Sequence, residues 1–244
     1  MADNIWYFVM VPMVYLAVAW CAVGIALRIT EVLKAPKLPR TLRIFPEGKG
    51  PDDPPVSSLV GAVWDAFTMP SLKRYKPLLW FFLITFHIAL FLLVLAHLDL
   101  LPQINIMSAE SEHMIGNGAV GVVFTVCLLY FLFRRFVGPV REVSVPADYL
   151  TLLLLLSIAI TGDMISWGNS WSENGFVMTK KDFGAYLDSL IKFTFADPRQ
   201  FLTGSHLAIA GTHVLLANLF LLVLPFSKIM HVFFAVPLNK LRRG

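Results

Sequence analysis

Five long apolar runs govern what this chain can become. A bilayer's hydrocarbon core is about 30 Å thick, so a helix rising about 1.5 Å per residue needs about 20 apolar residues to cross it. Backbone groups in hydrocarbon must bond internally, which leaves helices and closed barrels as spanning structures. The runs fit the helical solution. They lie at about Ile5–Leu27, Leu78–Leu98, Met114–Phe136, Ala147–Trp167 and Ser205–Pro225, the last extending to about Val236. Apolar residues make up 57% of the 244, and mean hydropathy is +0.70, well above a water-soluble domain. The expected fold is therefore a single all-α membrane domain of five transmembrane helices. A loop at 28–76 and another at 168–204 are the long connections.

Charge sets the expected orientation. Sixteen of the twenty Lys and Arg residues fall in 28–76, in the third-to-fourth connection (Arg134, Arg135, Arg141) and after the fifth run (Lys228, Lys240, Arg242, Arg243). The second-to-third connection has none and carries Asp99, Glu110 and Glu112. Cytoplasmic loops collect Lys and Arg, so the N-terminus is expected outside and the C-terminus in the cytoplasm. The net charge of +4 follows this sidedness and gives no reason to expect nucleic acid. The first run is longer than a signal-peptide core and has no basic segment before it, so it reads as a retained helix. Cys21 and Cys127 lie in separate runs, with no C-x-x-C or C-x-x-C-H. That excludes a disulfide framework, an iron–sulfur cluster and a covalently attached haem carried by this chain.

The connections hold amphipathic segments. Ala35–Pro55 is rich in Pro, Lys, Arg and Gly and reads as extended. Ser57 is placed to cap a short helix with Val60, Val63, Trp64 and Phe67 on one face. That face suits the membrane interface and also docking of a cytoplasmic partner, and the two uses are compatible. On the outer side, Phe183, Tyr186, Leu187, Leu190 and Ile191 form a stripe within Lys180–Phe195, expected to lie on the membrane surface.

Histidine spacing carries the chemistry. Ionisable side chains at membrane depth are costly and mark function. His87 and His97 stand ten apart in the second run, and His213 and His231 eighteen apart around the end of the fifth. Neutral imidazole is a haem ligand, and helix bundles hold cofactors between facing helices. Ten helical residues rise about 15 Å, which suits two centres stacked through one bilayer. The second and fifth helices run in opposite directions. The early histidine of one therefore meets the late histidine of the other, pairing His87 with His231 toward the cytoplasm and His97 with His213 outside. Eighteen residues of ideal helix rise about 27 Å and do not match that interval; Pro225 is placed to break the helix and relieve it. His206, seven before His213, is an alternative ligand with a worse fit to His231. His113 stands at the outer mouth of the third run. Gly116, Gly118 and Gly121, with Gly204 and Gly211, suit close approach of either a macrocycle or a neighbouring helix. Arg134 and Arg135 are candidates for propionate contacts and equally suit a positive anchor.

The chain resembles the gamma subunit of respiratory nitrate reductase and its relatives, which are membrane b-type cytochromes. The likeness rests on His87-x9-His97, and on His213 followed eighteen residues later by the last residue of Pro225-Phe226-Ser227-Lys228-Ile229-Met230-His231. It covers most of the chain. It implies two bis-histidine b haems, a proximal one on His87 and His231 and a distal one on His97 and His213. It also implies quinone or menaquinone bound near the distal haem, an iron–sulfur partner subunit in the cytoplasm, and residence in a prokaryotic cytoplasmic membrane. Nitrate reductases carry a lysine near the start of the third helix for quinol. Here that stretch reads Ser108-Ala109-Glu110-Ser111-Glu112-His113, which leaves His113, with His206, as candidates at a quinone site or around the haem. The long basic 28–76 loop looks more like relatives that work with heterodisulfide-reductase-like iron–sulfur proteins, some also with a multihaem c cytochrome outside.

The resulting expectation is an electron-transfer subunit linking quinone to an iron–sulfur protein. A histidine-relay transporter or proton channel is the alternative from another class, opposed by the absence of paired carboxylates in the runs. A non-redox membrane anchor is the third. The orientation is directly testable: alkaline phosphatase inserted in the second-to-third connection should be active, and inserted in the third-to-fourth connection inactive. The reverse pattern overturns it.

Overall fold

Proline punctuates the chain where a helix can accept it. Pro70, Pro77 and Pro146 each open a helix, where a missing N–H leaves no bond unmade. The structure, a computed structural model, describes residues 2–34, 58–104, 106, 118–171, 179–202 and 206–236. Its helices are α1 (Ala2–Met10), α2 (Pro12–Lys34), α3 (Ser58–Thr68), α4 (Pro70–Tyr75), α5 (Pro77–Asp99), α6 (Ala119–Phe136), α7 (Pro146–Ser166), α8 (Gly168–Trp171), α9 (Lys180–Ile191) and α10 (Leu207–Val223). No strand occurs among the described residues. Five segments are long and apolar enough to span a membrane: Asn4–Lys34, Pro77–Asp99, Ala119–Phe136, Pro146–Ser166 and Leu207–Phe226. Ala35–Pro55, Ser57, Glu110, Glu112, His113, Gly116, Gly204, Lys240, Arg242 and Arg243 lie outside the described residues.

The spanning helices pack in a chain of neighbours: α5 on α6, α6 on α7, α7 on α10, and α10 on α2 and α1. One apolar core joins α5, α6 and α7 through Ala89, Phe124, Leu128, Leu132, Leu156 and Ala159. A second, at the other end of the bundle, joins α1, α9 and α10 through Val9, Met10, Tyr186, Leu202 and Ala210. Helices α5 and α10 are not among the closely packed pairs.

Two breaks shape the bundle. Pro12 cannot donate to the carbonyl one turn back, which opens the backbone between α1 and α2. Buried side chains bond to the carbonyls beside the break: Asn218 Nδ2 donates to Val9 O at 2.9 Å and Tyr186 Oη to Met10 O at 2.5 Å. Burial pushes the Tyr186 phenol above its ordinary range, so it stays a donor. The second break answers the eighteen-residue interval. Helix α10 does not continue to Val236. It gives way to 3-10 turns at Leu224–Phe226 and Lys228–Met230, separated by Ser227 in an extended conformation, and helix resumes over 231–236. Ser227 Oγ caps the second turn by accepting from Ile229 N at 3.2 Å.

The apolar stripe of α9 packs on protein. Phe183, Leu187 and Leu190 pack on the core of α1 and α10, and only Ile191 of the stripe is exposed. Polar ties fix the helix across the bundle's end. Lys180 Nζ meets Asp99 Oδ2 at 2.7 Å, Gln103 Nε2 donates to Asp188 Oδ1 at 2.6 Å, and Tyr15 Oη donates to Leu190 O at 2.9 Å. At the other end, Val60, Val63, Trp64 and Phe67 of α3 are exposed together, and Trp80 Nε1 donates to Thr68 O at 2.7 Å, tying α3 to α5.

Gly24 of α2 lies against the α10 break. A Cβ there would sit 2.7 Å from both Pro225 Cβ and Cγ, atoms of a rigid ring. Gly24→Val should destabilise the protein by about 1–3 kcal/mol, the usual cost of overpacking, with Gly24→Ala milder. Thermal unfolding in detergent measures both.

Candidate functional site

The gap between α5 and α10 is crossed by imidazoles. His87 and His231 have ring centroids 6.3 Å apart with planes at 86°. His97 and His213 are 6.2 Å apart with planes at 12°. The antiparallel course of the two helices brings these residues together, and the 3-10 turns after α10 bring His231 to the level of His87.

Each ring has its Nδ1 bonded to a backbone carbonyl. In α5, His87 Nδ1 reaches Leu83 O at 2.8 Å and His97 Nδ1 reaches Leu93 O at 2.7 Å, each one turn back. His231 Nδ1 lies 2.9 Å from Lys228 O. His213 takes its partners from α7: Ile158 O at 3.1 Å and Thr161 Oγ1 at 3.0 Å. A carbonyl can only accept, so these contacts place the proton on Nδ1 and leave the Nε2 lone pair available. Metal-binding histidines are commonly held in this way by their other nitrogen. One atom bonded to a nitrogen on each ring at about 2 Å, the usual imidazole–metal length, would hold the centroids about 6 Å apart, as both pairs are. Among the described residues, no three His, Cys, Asp or Glu side chains converge on one point. The donor set suits a group that brings its own equatorial ligands and takes one imidazole on each face.

Neighbouring side chains set the rings' orientation. Phe86 meets His87 edge-on at 5.2 Å and stacks on Phe124 of α6 at 4.9 Å. Phe82 stacks on Tyr130 at 3.9 Å. These aromatic residues occupy the α5–α6 contact. Gly162 of α7 lies beside His213, where an added Cβ would be 3.3 Å from the ring's Cε1. That glycine escaped the sequence reading; its signal was a glycine next to Thr161 in an otherwise bulky run.

The other expected residues are placed as follows. His206 stands at the N-cap of α10 with its ring edge on Trp171, 4.8 Å between centroids. Gly211 receives the Trp6 ring, Gly121 the Asp163 carboxylate, and Gly118 the Trp167 and Ser166 side chains. All three glycines serve contacts between protein elements. Arg135 donates to Asp148 Oδ2 and Ser144 Oγ, each at 3.0 Å. Arg134 lines a cavity of about 340 Å³ with Lys76, Tyr130 and Val137. Two carboxylates went unnoticed in the sequence. Asp163 accepts from Thr125 Oγ1 at 2.8 Å, and Asp148 also receives Lys228 Nζ at 2.8 Å. Both lie within one turn of an end of the fourth run, where charge reads as a boundary marker.

The family model for the nitrate reductase gamma subunit matches residues 70–244, which include all four paired histidines. The chain belongs to the nitrate reductase gamma subunit family. Within this family assignment, α1, α2 and α3 precede the matched region. A curated relative in Archaeoglobus fulgidus, named as an Hdr-like menaquinol oxidoreductase cytochrome b-like subunit, is 30% identical over 185 residues. The match covers 66% of this chain and 50% of that protein, so this family member spans about half the length of its curated relative.

Gly162 gives the site a steric test. Gly162→Val should tilt His213 away from His97 while leaving His87 and His231 in place. Histidine ring shifts in nuclear magnetic resonance spectra of the protein in detergent read this out: His213 and His97 should move and the other two should not.

Proposed function

We propose that this chain carries two b haems and passes electrons between membrane quinone and an iron–sulfur partner subunit. The observation that supports this most is the pair of imidazole couples, each 6.2–6.3 Å between centroids with Nδ1 bonded to a carbonyl. His87 and His231 would hold the proximal haem, and His97 and His213 the distal one. When bound, a b haem supplies one-electron redox chemistry, tuned by its ligands, burial and nearby charge. The chain's own residues do the rest. Leu83, Leu93, Ile158 and Lys228 present the carbonyls that fix the rings. Phe82 and Phe86 with Tyr130 and Phe124 fill the α5–α6 contact and keep water from that flank.

Quinone is the substrate in this reading, and menaquinone is favoured by the name of the Archaeoglobus relative, a menaquinol oxidoreductase subunit. It would bind near His97 and His213 at the outer side, with His206 and His113 as candidate donors. Quinol oxidised there releases its protons outside and gives its electrons inward, and net charge crosses the membrane. The basic end of the bundle, rich in Lys73, Arg74, Lys76, Arg134, Arg135 and Arg141, would face the cytoplasm. There the exposed α3 face and the basic loop 28–76 suit an iron–sulfur subunit, heterodisulfide-reductase-like or nitrate-reductase beta-like. A multihaem c cytochrome on the outer face is a further partner in this scheme, and the location is a prokaryotic cytoplasmic membrane.

The dithionite-reduced spectrum of purified protein should show split b-type bands. Well-folded protein that is colourless overturns the proposal. His97→Ala or His213→Ala should each remove the distal band and leave the proximal one, and loss of neither would refute the pairing.

A further inference from the structure

Asp148 is held as a structural anchor by groups from three parts of the fold. It lies in the first turn of α7 and is buried, 6% exposed. One oxygen, Oδ2, receives every contact: Arg135 NH1 of α6 at 3.0 Å, Lys228 Nζ at 2.8 Å and the Val145 backbone N–H at 3.3 Å. Lys228 opens the 3-10 turn that His231 follows, and its carbonyl lies 2.9 Å from His231 Nδ1. One residue thus meets Asp148 with its side chain and His231 with its backbone. His231 follows the α10 break, so the regular helix does not set its position. The other paired histidines lie inside continuous helices, at positions 87 and 97 of α5 and 213 of α10.

We infer that Asp148 is a positioning residue for the His231 imidazole, acting through Lys228 and braced by Arg135. The inference rests on the proposal that His231 and His87 hold a haem. Asp148 fixes the ammonium of Lys228, which fixes the 228–230 turn, which aims the His231 carbonyl contact and turns Nε2 toward His87. Arg135 leaves Asp148 compensated whether or not Lys228 is charged, and it places the anchor on α6 and α7, whose cores are continuous with α5. Removing Lys228's charge therefore loosens the turn without leaving a lone buried carboxylate, the change that would unfold the protein.

The test compares Lys228→Met, Lys228→Arg and Asp148→Asn in the full chain, purified in detergent. The readouts are haem loss to an excess of haem-scavenging apoprotein, and the midpoint potential of each b band. Lys228→Met and Asp148→Asn keep the Lys228 carbonyl but loosen the turn that presents it. They should therefore weaken retention at the proximal site by up to about 10-fold, the low end of the cost of losing an outer partner of a metal-bound histidine, and shift the proximal potential. The distal band should keep its retention and potential, and Lys228→Arg should restore the proximal site. If Asp148→Asn fails to fold, Lys228→Met alone decides. Wild-type retention and potential at the proximal site in Lys228→Met overturns the inference. Wild-type protein without haem overturns the function proposed above, and this inference with it.

Discussion

Helix α5 reaches α10 through imidazole rings and not through close-packed backbone. That is the constraint from which the rest of the bundle follows. In a lipid environment apolar side chains gain little by leaving hydrocarbon for one another, so helices associate through close packing and polar contacts. Here α5, α6, α7 and α10 form a continuous series of packed neighbours, and the series is left open between its first and last members. The two histidine couples lie on that opening. Small residues seal the other contacts: Ala89 and Ala159 in the α5–α7 core, Gly211 under Trp6, Gly24 under Pro225.

Polar side chains repair what proline opens. Asn218 and Tyr186 bond the carbonyls next to Pro12, and Ser227 caps the turn that follows Pro225. Unpaired backbone groups at membrane depth are costly, and each break has a side-chain partner: Asn218 and Tyr186 donate at the first, and Ser227 Oγ both donates to Leu224 O and accepts from Ile229 N at the second. Both repairs also join distant parts of the chain or lock a local turn. Tyr186 ties α9 to the first span, and with Lys180–Asp99 this places α9 over the end of the bundle that carries Asp99.

The five spans were legible in the sequence because apolar length alone decides them. The partners of the histidines were legible because antiparallel helices invert order along their axes. The eighteen-residue interval was legible only as a misfit to an ideal helix. Pro225 pointed to a break, but two 3-10 turns around an extended Ser227 are set by tertiary contacts that no local pattern encodes. Gly162 and Asp148 were invisible for the same reason. A glycine beside a ring and a carboxylate between two cations from other helices are statements about pairs far apart in sequence. The α9 stripe is legible as amphipathic, but periodicity shows that a face is apolar without showing that the core of α1 and α10 covers it.

The two couples differ in one respect that residue identity conceals. The His97 and His213 planes are almost parallel, at 12°, whereas the His87 and His231 planes cross at 86°. If each couple holds a haem as proposed, the near-parallel imidazoles would donate into one iron orbital and the crossed ones would divide their donation between two. Two couples, each of two histidines, would then be electronically unequal. Magnetic anisotropy of the bound haems would tell them apart without any difference in ligand chemistry.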